Sequence, residues 1–319
     1  MNKYLTINKI KGTFLGLAIG DAMGVPVEFI SRLHLEQNSV TGFESNYFNA
    51  DNLGLWSDDS SLTFCLAETI IEGFSIDLLG EKFKAWHYEN YWAPKEVAFE
   101  IGISTHNAIE RLEKGISASE SGESGEYSNG NGSLMRVSPL AYYLFEESIE
   151  TRFQTIKAVS SITHSHIRSV ISCFFYVEFL QNLIKTTDKF EAFEITQNTV
   201  RDYINSTSCN NDEKTLFLRL FYDKIHEIDK EEIFSSAYVI HTLEASIWSF
   251  LNSNSYDEAI LKAVNLGHDT DTTGSVTGAL AGTFYGFENI NLNWKNTIVR
   301  SSEIENLATH FYNKISTLV

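Results

Sequence analysis

The chain is poor in proline, cysteine and positive charge, and each shortage closes off a class of structure. Only three prolines occur, Pro26, Pro94 and Pro139. Proline-rich linkers are excluded, and helices meet few breakers. The three cysteines are Cys65, Cys173 and Cys209. An odd count at wide spacings matches no zinc pattern. Cys65 and Cys173 fall in apolar helical stretches, which predicts buried thiols. Lysine and arginine number 24 against 42 acids, for a net charge of −18. That balance fits neither a nucleic-acid groove nor a polybasic membrane patch. Most of it reads as an acidic solvated surface, and it suits a chain that collects carboxylates for a cation. No clean membrane span is present, because the apolar stretch 10–30 is interrupted by Asp21, Pro26 and Glu28. The opening "MNKYLTINKI" leads into a helical pattern and not into a signal-type apolar region. We expect a cytoplasmic protein, acting as a monomer, with no nucleic-acid or membrane partner.

Apolar residues make up 43% of the 319 positions and aromatics 13%. A substantial core can be buried. Apolar residues recur at three- and four-residue spacings in 62–74, 160–185, 234–252 and 256–267, each predicting a helix. No segment alternates as a half-buried strand does. Ser57 before Asp58-Asp59, and Ser255 before Tyr256-Asp257-Glu258, read as helix starts. Loops are expected at 31–54 and at the Gly/Ser-rich 117–136. Both are flanked by polar signatures and read as site-bearing loops, not linkers. The expected architecture is all-α, a single compact multi-helix domain over 1–319.

Glycines recur every four residues twice, at 12, 16, 20 and 24 and at 274, 278, 282 and 286. Residues four apart share one helix face. Each helical glycine costs about 1 kcal/mol against alanine. Two smooth stripes predict close helix packing, which would bring Asp21–Glu28 near Asp269–Thr272.

Four short stretches could carry chemistry. "WSDDSS" (56–61) is, by itself, ordinary helix-start chemistry. "GHDTDTTG" (267–274) fits two readings, a capped helix start with threonine hydrogen bonds or an oxygen-ligand site for a hard divalent cation. Asp269 and Asp271 are two apart and diverge on a regular helix, so we expect them, with Thr272, on a non-helical turn. "NGNGSLMR" (129–136) lets the backbone turn with donors exposed, with a helix expected near Ser133. Arg136 there fits a phosphate or an internal acid. "THSH" (163–166) places His164 and His166 at the start of a long helix, where His164 could donate to a phosphate.

Taken in order, "GTFLGLAIGDAMGVPVEF", "SDDS", "GNGSLMRVSPLA", "THS" and "GHDTDTTGSVTGALAGTFYG" resemble the ADP-ribosylglycohydrolase family from about residue 10 to 286. The resemblance implies an all-α fold with a cleft holding two Mg²⁺ or Mn²⁺. By motif, Ser57, Asp58, Asp59, Asp269, Asp271 and Thr272 match the family's metal ligands. Glu28 matches a glutamate near the metals with a gating or catalytic part. Gly130, Asn131, Gly132 and Ser133 match the loop around the ADP-ribose diphosphate and ribose, and His164 a histidine beside the diphosphate. "FEIGIST" (99–105) resembles the segment supplying an acidic catalytic candidate, here Glu100 in place of aspartate. The base stays open between Glu100 and Glu28. His268 stands where many members have glycine, and Ser57 where threonine is commoner.

The implied reaction is hydrolysis of the glycosidic bond between ADP-ribose and an acceptor, arginine on a protein being the most frequent bacterial linkage. Serine, O-acetyl-ADP-ribose and free guanidines are the other acceptors. Two rivals stand beside this expectation. One is a metal phosphohydrolase of the HD type, built on the His268-Asp269 doublet with His241 or His164. The other is a non-catalytic, crystallin-like binder of ADP-ribose.

Overall fold

A computed structural model describes residues 3–95 and 97–318. Sixteen α-helices occur among the described residues. They begin with α1 (Ile7–Gly24), α2 (Arg32–Gln37), α3 (Asp58–Gly73), α4 (Ile76–Glu89), α5 (Ile103–Glu113), α6 (Leu140–Tyr143), α7 (Ile149–Ser161) and α8 (Ile167–Lys185). There follow α9 (Lys189–Ser206), α10 (Asn211–Thr215), α11 (Leu218–Tyr222), α12 (Val239–Leu251), α13 (Tyr256–Val264), α14 (Thr270–Tyr285), α15 (Leu292–Thr297) and α16 (Ser301–Ser316). No strand forms among these residues, and extended pairing is limited to two isolated bridges, Glu123 with His164 and Gly130 with Tyr238. The all-α expectation holds.

Local chemistry sets the helix ends. The Thr6 hydroxyl accepts from the Lys9 amide (3.3 Å) to start α1, and Ser255 accepts from Glu258 (3.1 Å) to start α13. Each satisfies an amide that the first helical turn leaves without a carbonyl partner. The stretch 160–185 is two helices, not one. The chain breaks at 162–166, where Ser160 Oγ donates to the His164 carbonyl (2.8 Å). There the Glu123 amide donates to the Thr163 carbonyl (3.0 Å), and the Ser165 amide to that of Glu123 (2.8 Å). The stretch from 234 turns helical only at Val239, because the preceding residues pair elsewhere: Val239 N donates to Asn129 O and Asp269 N to Ser235 O. Loop 31–54 contains the short helix α2, while 117–136 holds no helix beyond isolated turns.

One core cluster extends from Leu5 to Ile315. Its axis is the pair α1 and α14, buried nearly all round. Neither carries an amphipathic stripe, as expected of helices with no solvent face. The two glycine stripes meet. A Cβ at Gly20 would stand 2.0 Å from the Gly274 carbonyl oxygen, and one at Gly282 1.9 Å from that of Gly12. Only glycine permits this backbone-to-backbone approach. Helices α1 (with the turn that follows it) and α8 are long and apolar enough to cross a membrane, yet most of each is buried inside this core. Cys65 and Cys173 are buried thiols, as their contexts predict.

Candidate active site

The antiparallel seam of α1 and α14 runs from Gly12 against Gly282 to Gly24 against Asp271, and the site is built at that last end. Where α1 ends, the turn Val25–Val27 carries the chain to Glu28. Where α14 begins, Asp269 stands at its N-cap and Asp271 and Thr272 in its first turn. The two ends are tied by Thr270 Oγ1 donating to the Gly24 carbonyl (2.8 Å). A second tie joins the flanking loops: Phe29 N donates to His268 O (2.6 Å) and His268 N to Ile30 O (2.8 Å). Phe29 and His268 both hold left-handed backbone, φ 62° and 64°. His268 thus occupies a position that favours glycine. Its backbone is engaged in the tie, and its side chain is exposed.

Asp269 and Asp271 converge for a reason the sequence reading misplaced. Asp271 and Thr272 lie on the helix, and only Asp269 precedes it, at φ −91° and ψ 79°. One carboxylate oxygen from each of Glu28, Asp269 and Asp271 lies within 4.8 Å of the others. Glu28 therefore joins the acidic cluster directly. Asp58 lines the same cleft from the first turn of α3. Asp59 sits behind it, accepting from Ser57 Oγ (3.0 Å) and Thr272 Oγ1 (3.3 Å) on one oxygen. Its other oxygen, Oδ1, is buried with no partner.

Asp21 is the buried support that sequence reasoning left without a role. Its carboxylate accepts from Ser57 N (2.9 Å), Ser60 N (3.0 Å) and Ser60 Oγ (2.5 Å), so it caps α3 from α1 and fixes the Ser57–Asp59 turn. Its place at the end of a glycine-striped helix was the available signal.

These acids share one poorly solvated space. Burial is the first cause raising the pKa of Asp58, Asp59, Asp269 and Asp271, with neighbouring carboxylates adding to the shift for Asp58, Asp59 and Asp271. Burial, then Glu100 and Asp269, push Glu28 up to about 8. Burial pushes Asp21 up to about 7 against the hydrogen bonds from Ser60 and Ser57. The cleft lined by Glu28, Asp58, Asp269 and Asp271 has a volume of about 360 Å³ and no lysine or arginine on its walls. Oxygen-only donors, an orphaned carboxylate oxygen and unbalanced negative charge fit a hard divalent cation. Nitrogen ligands are absent from the group: among the described residues the one His/Cys/Asp/Glu cluster of metal-binding geometry is Glu28, Asp269 and Asp271. His241 is engaged by Ser236 Oγ (2.8 Å). The HD arrangement is not assembled.

The opposite wall is the loop at 129–136. Gly130, Asn131 and Gly132 line the cleft with His164. Asn131 also reaches the acids, donating from Nδ2 to Asp269 Oδ2 (2.5 Å) and Thr242 Oγ1 (2.9 Å). Ser133 is fully buried behind the loop, its Oγ in hydrogen-bond contact with Ser160 Oγ (3.0 Å). No helix begins there, because the chain continues in turns to Leu140. Arg136 does not line the cleft, and no acid is among its hydrogen-bond partners. It is buried, with its ring-face contact on Phe83 at 4.9 Å and its hydrogen bonds on Gly132 O, Val159 O and Thr163 Oγ1. His164 is buried beneath the glycines, and a Cβ at Gly132 would stand 2.8 Å from its Cε1. Burial, and then the Arg136 charge, hold its pKa down to about 3. His166 does not enter the cleft and caps α8.

Glu100, on left-handed backbone (φ 57°), and the uncapped start of α5 from Gly102 form the third wall. The cleft continues past Tyr127, Gly130 and Ala237 into a cavity of about 410 Å³ bordered by Arg168 and Tyr238.

This fold is the one found in a solved "ADP-ribosylglycohydrolase-related protein complex", which matches at a TM-score of 0.79 and 25% identity over 97% of this chain and 98% of that one. The chain itself belongs to the ADP-ribosylglycohydrolase family, whose model matches residues 2–318. It is 32% identical over 311 residues to an ADP-ribosylarginine hydrolase of Serratia proteamaculans, covering 96% of this chain and 80% of that one. It is 25% identical over 290 residues to the ADP-ribosyl-[dinitrogen reductase] glycohydrolase of Rhodospirillum rubrum, covering 89% and 87%.

Proposed function

We propose that residues 1–319 act as one hydrolase domain that cleaves the N-glycosidic bond between ADP-ribose and a protein arginine, releasing ADP-ribose. The observation that carries this reading is the charge of the cleft. Glu28, Asp58, Glu100, Asp269 and Asp271 line it, and no cationic side chain does. Such a wall favours a divalent cation on one side and a guanidinium leaving group on the other.

Ser57, Asp58, Asp59, Asp269, Asp271 and Thr272 would hold Mg²⁺ or Mn²⁺. Bound there, a pair of such ions would supply orientation of the ribose hydroxyls and stabilisation of charge on the sugar. The chain's own residues do the rest. Asp21 fixes the α3 turn, and Asn131 orients Asp269. Gly130 to Gly132 and His164 receive the diphosphate, and the adjoining cavity with Tyr127 and Tyr238 gives the nucleoside room. Glu28 and Glu100 adjoin in the cleft. As one unit they take the proton of the water that attacks the anomeric carbon while the bond to nitrogen breaks.

The test is a panel of ADP-ribosyl substrates with defined arginine, serine and acetyl linkages. The expected result is release from the arginine linkage, reduced at least about 100-fold in Asp269→Ala. Release from serine but not arginine would refute the acceptor. Tight ADP-ribose binding without release from any linkage would make the chain a binding module.

A further inference from the structure

Arg136 is a fully buried cation whose three hydrogen bonds all go to uncharged oxygens. Nothing in the proposed reaction uses it. One of those bonds nevertheless reaches the cleft at second hand. Arg136 Nη2 lies 2.7 Å from Thr163 Oγ1, and Thr163 Oγ1 lies 2.8 Å from His164 Nδ1.

We propose that Arg136 and Thr163 are positioning residues that fix the tautomer of His164, so that its Nε2–H faces the cleft as an uncharged donor to the diphosphate of the substrate. The diphosphate half of this inference rests on the glycohydrolase reading; the tautomer half does not.

The count of available protons assigns the tautomer. A guanidinium only donates, so Thr163 Oγ1 accepts from Arg136. The threonine hydroxyl has one proton, and its remaining hydrogen-bond neighbour is His164 Nδ1. Thr163 is fully buried. If Nδ1 carried the proton instead, the hydroxyl would receive two donors and its own proton would be left without an acceptor, a costly arrangement in the interior. Thr163 therefore donates, Nδ1 accepts, and a neutral imidazole accepting at Nδ1 carries its proton on Nε2. The Nε2 edge is the one beside the phosphate-loop glycines, 3.5 Å from where a Cβ at Gly130 or Gly132 would stand. The opposite tautomer would aim a lone pair at an anion.

The same Arg136 donates from Nη1 to the Gly132 carbonyl, so one buried cation sets both the loop and the ring. Its charge also disfavours the imidazolium, which keeps the ring in the form whose tautomer the relay selects. Arg136 offers several donors in a fixed fork, which a lysine cannot reproduce.

The experiment is long-range ¹H–¹⁵N correlation on the full-length, histidine-labelled protein, with His164→Gln to assign the signal. The expected spectrum has a pyridine-like Nδ1 and a pyrrole-like Nε2 at His164 without any ligand. A pyrrole-like Nδ1 overturns the inference. Thr163→Val should lose the single tautomer and weaken ADP-ribose binding by about 10- to 100-fold, while Thr163→Ser restores both. Unchanged ADP-ribose affinity in a folded Thr163→Val protein overturns the role in binding. A wild-type protein with the expected tautomer that binds no ADP-ribose contradicts the glycohydrolase reading instead.

Discussion

Replacing Gly278 by alanine puts the α1–α14 seam to the test. A Cβ at this position would stand 2.2 Å from the Gly16 carbonyl oxygen, 2.8 Å from its carbonyl carbon and 3.2 Å from Leu17 Cα. Ordinary contact begins at 3.4 Å, so the deficit is 3.4 − 2.2 = 1.2 Å. Every atom in the way is backbone, and no side chain can rotate to absorb it. Helix propensity alone would favour alanine by about 1 kcal/mol. Overpacking of this kind costs about 1–3 kcal/mol, and here the two central helices must part. Because the obstruction is backbone, the upper end of about 3 kcal/mol applies, and subtracting the propensity gain leaves a net loss of about 2 kcal/mol, read as a lower urea midpoint at unchanged m-value. Gly80→Ala is the internal control. It lies inside α4, and its Cβ would meet Leu112 and Ala118 at 3.4 to 3.5 Å, ordinary contact distances. There propensity wins, and stability should rise by up to about 1 kcal/mol. The pair must move in opposite directions. A Gly278→Ala protein as stable as wild type would refute the claim that the glycine seam exists for close packing.

Two further outcomes follow from the site. In metal-free protein, the folded pKa values of Asp21 (about 7) and Glu28 (about 8) lie above their unfolded values of about 4. The folded chain then holds protons that the unfolded chain has released, so stability falls as pH rises from about 4 to about 8. Thermal melts in chelator should be higher at pH 5 than at pH 8, with saturating Mg²⁺ flattening or reversing the slope; a rise with pH in chelator contradicts the burial account. His268→Gly should keep its metal content and activity, and relief of the left-handed backbone should leave stability unchanged or higher by up to about 1 kcal/mol. Metal lost from this variant would restore the HD reading.

The helical class and the glycine seam were legible because both are periodic, and a period is carried by the order of residues alone. The convergence of Glu28 with Asp269 and Asp271 followed from that seam, since two stripes that meet must bring their ends together. Helix boundaries were less legible. The break at 162–166 depends on backbone pairing with Glu123, some forty residues earlier, which leaves no local mark. The late start of α12 has the same cause, through Asn129 and Asp269. Side-chain destinations were the least legible. Ser133 and Asn131 are neighbours in one motif, yet one turns inward to Ser160 and the other reaches Asp269. The role of Asp21 needed the geometry too, because its partners, Ser57 and Ser60, lie on another helix. His268 resisted reading because its side chain carries no signal; the backbone φ at that position does.

At issue is whether the acidic cluster where α1 ends and α14 begins works by holding a divalent cation. The direct measurement is release of ADP-ribose from an arginine-modified protein across a Mg²⁺ titration, for wild type and Asp271→Asn. The account predicts release that saturates with Mg²⁺ in wild type and falls at least about 100-fold in the variant. Undiminished release in excess chelator, or a fully active Asp271→Asn, would contradict it.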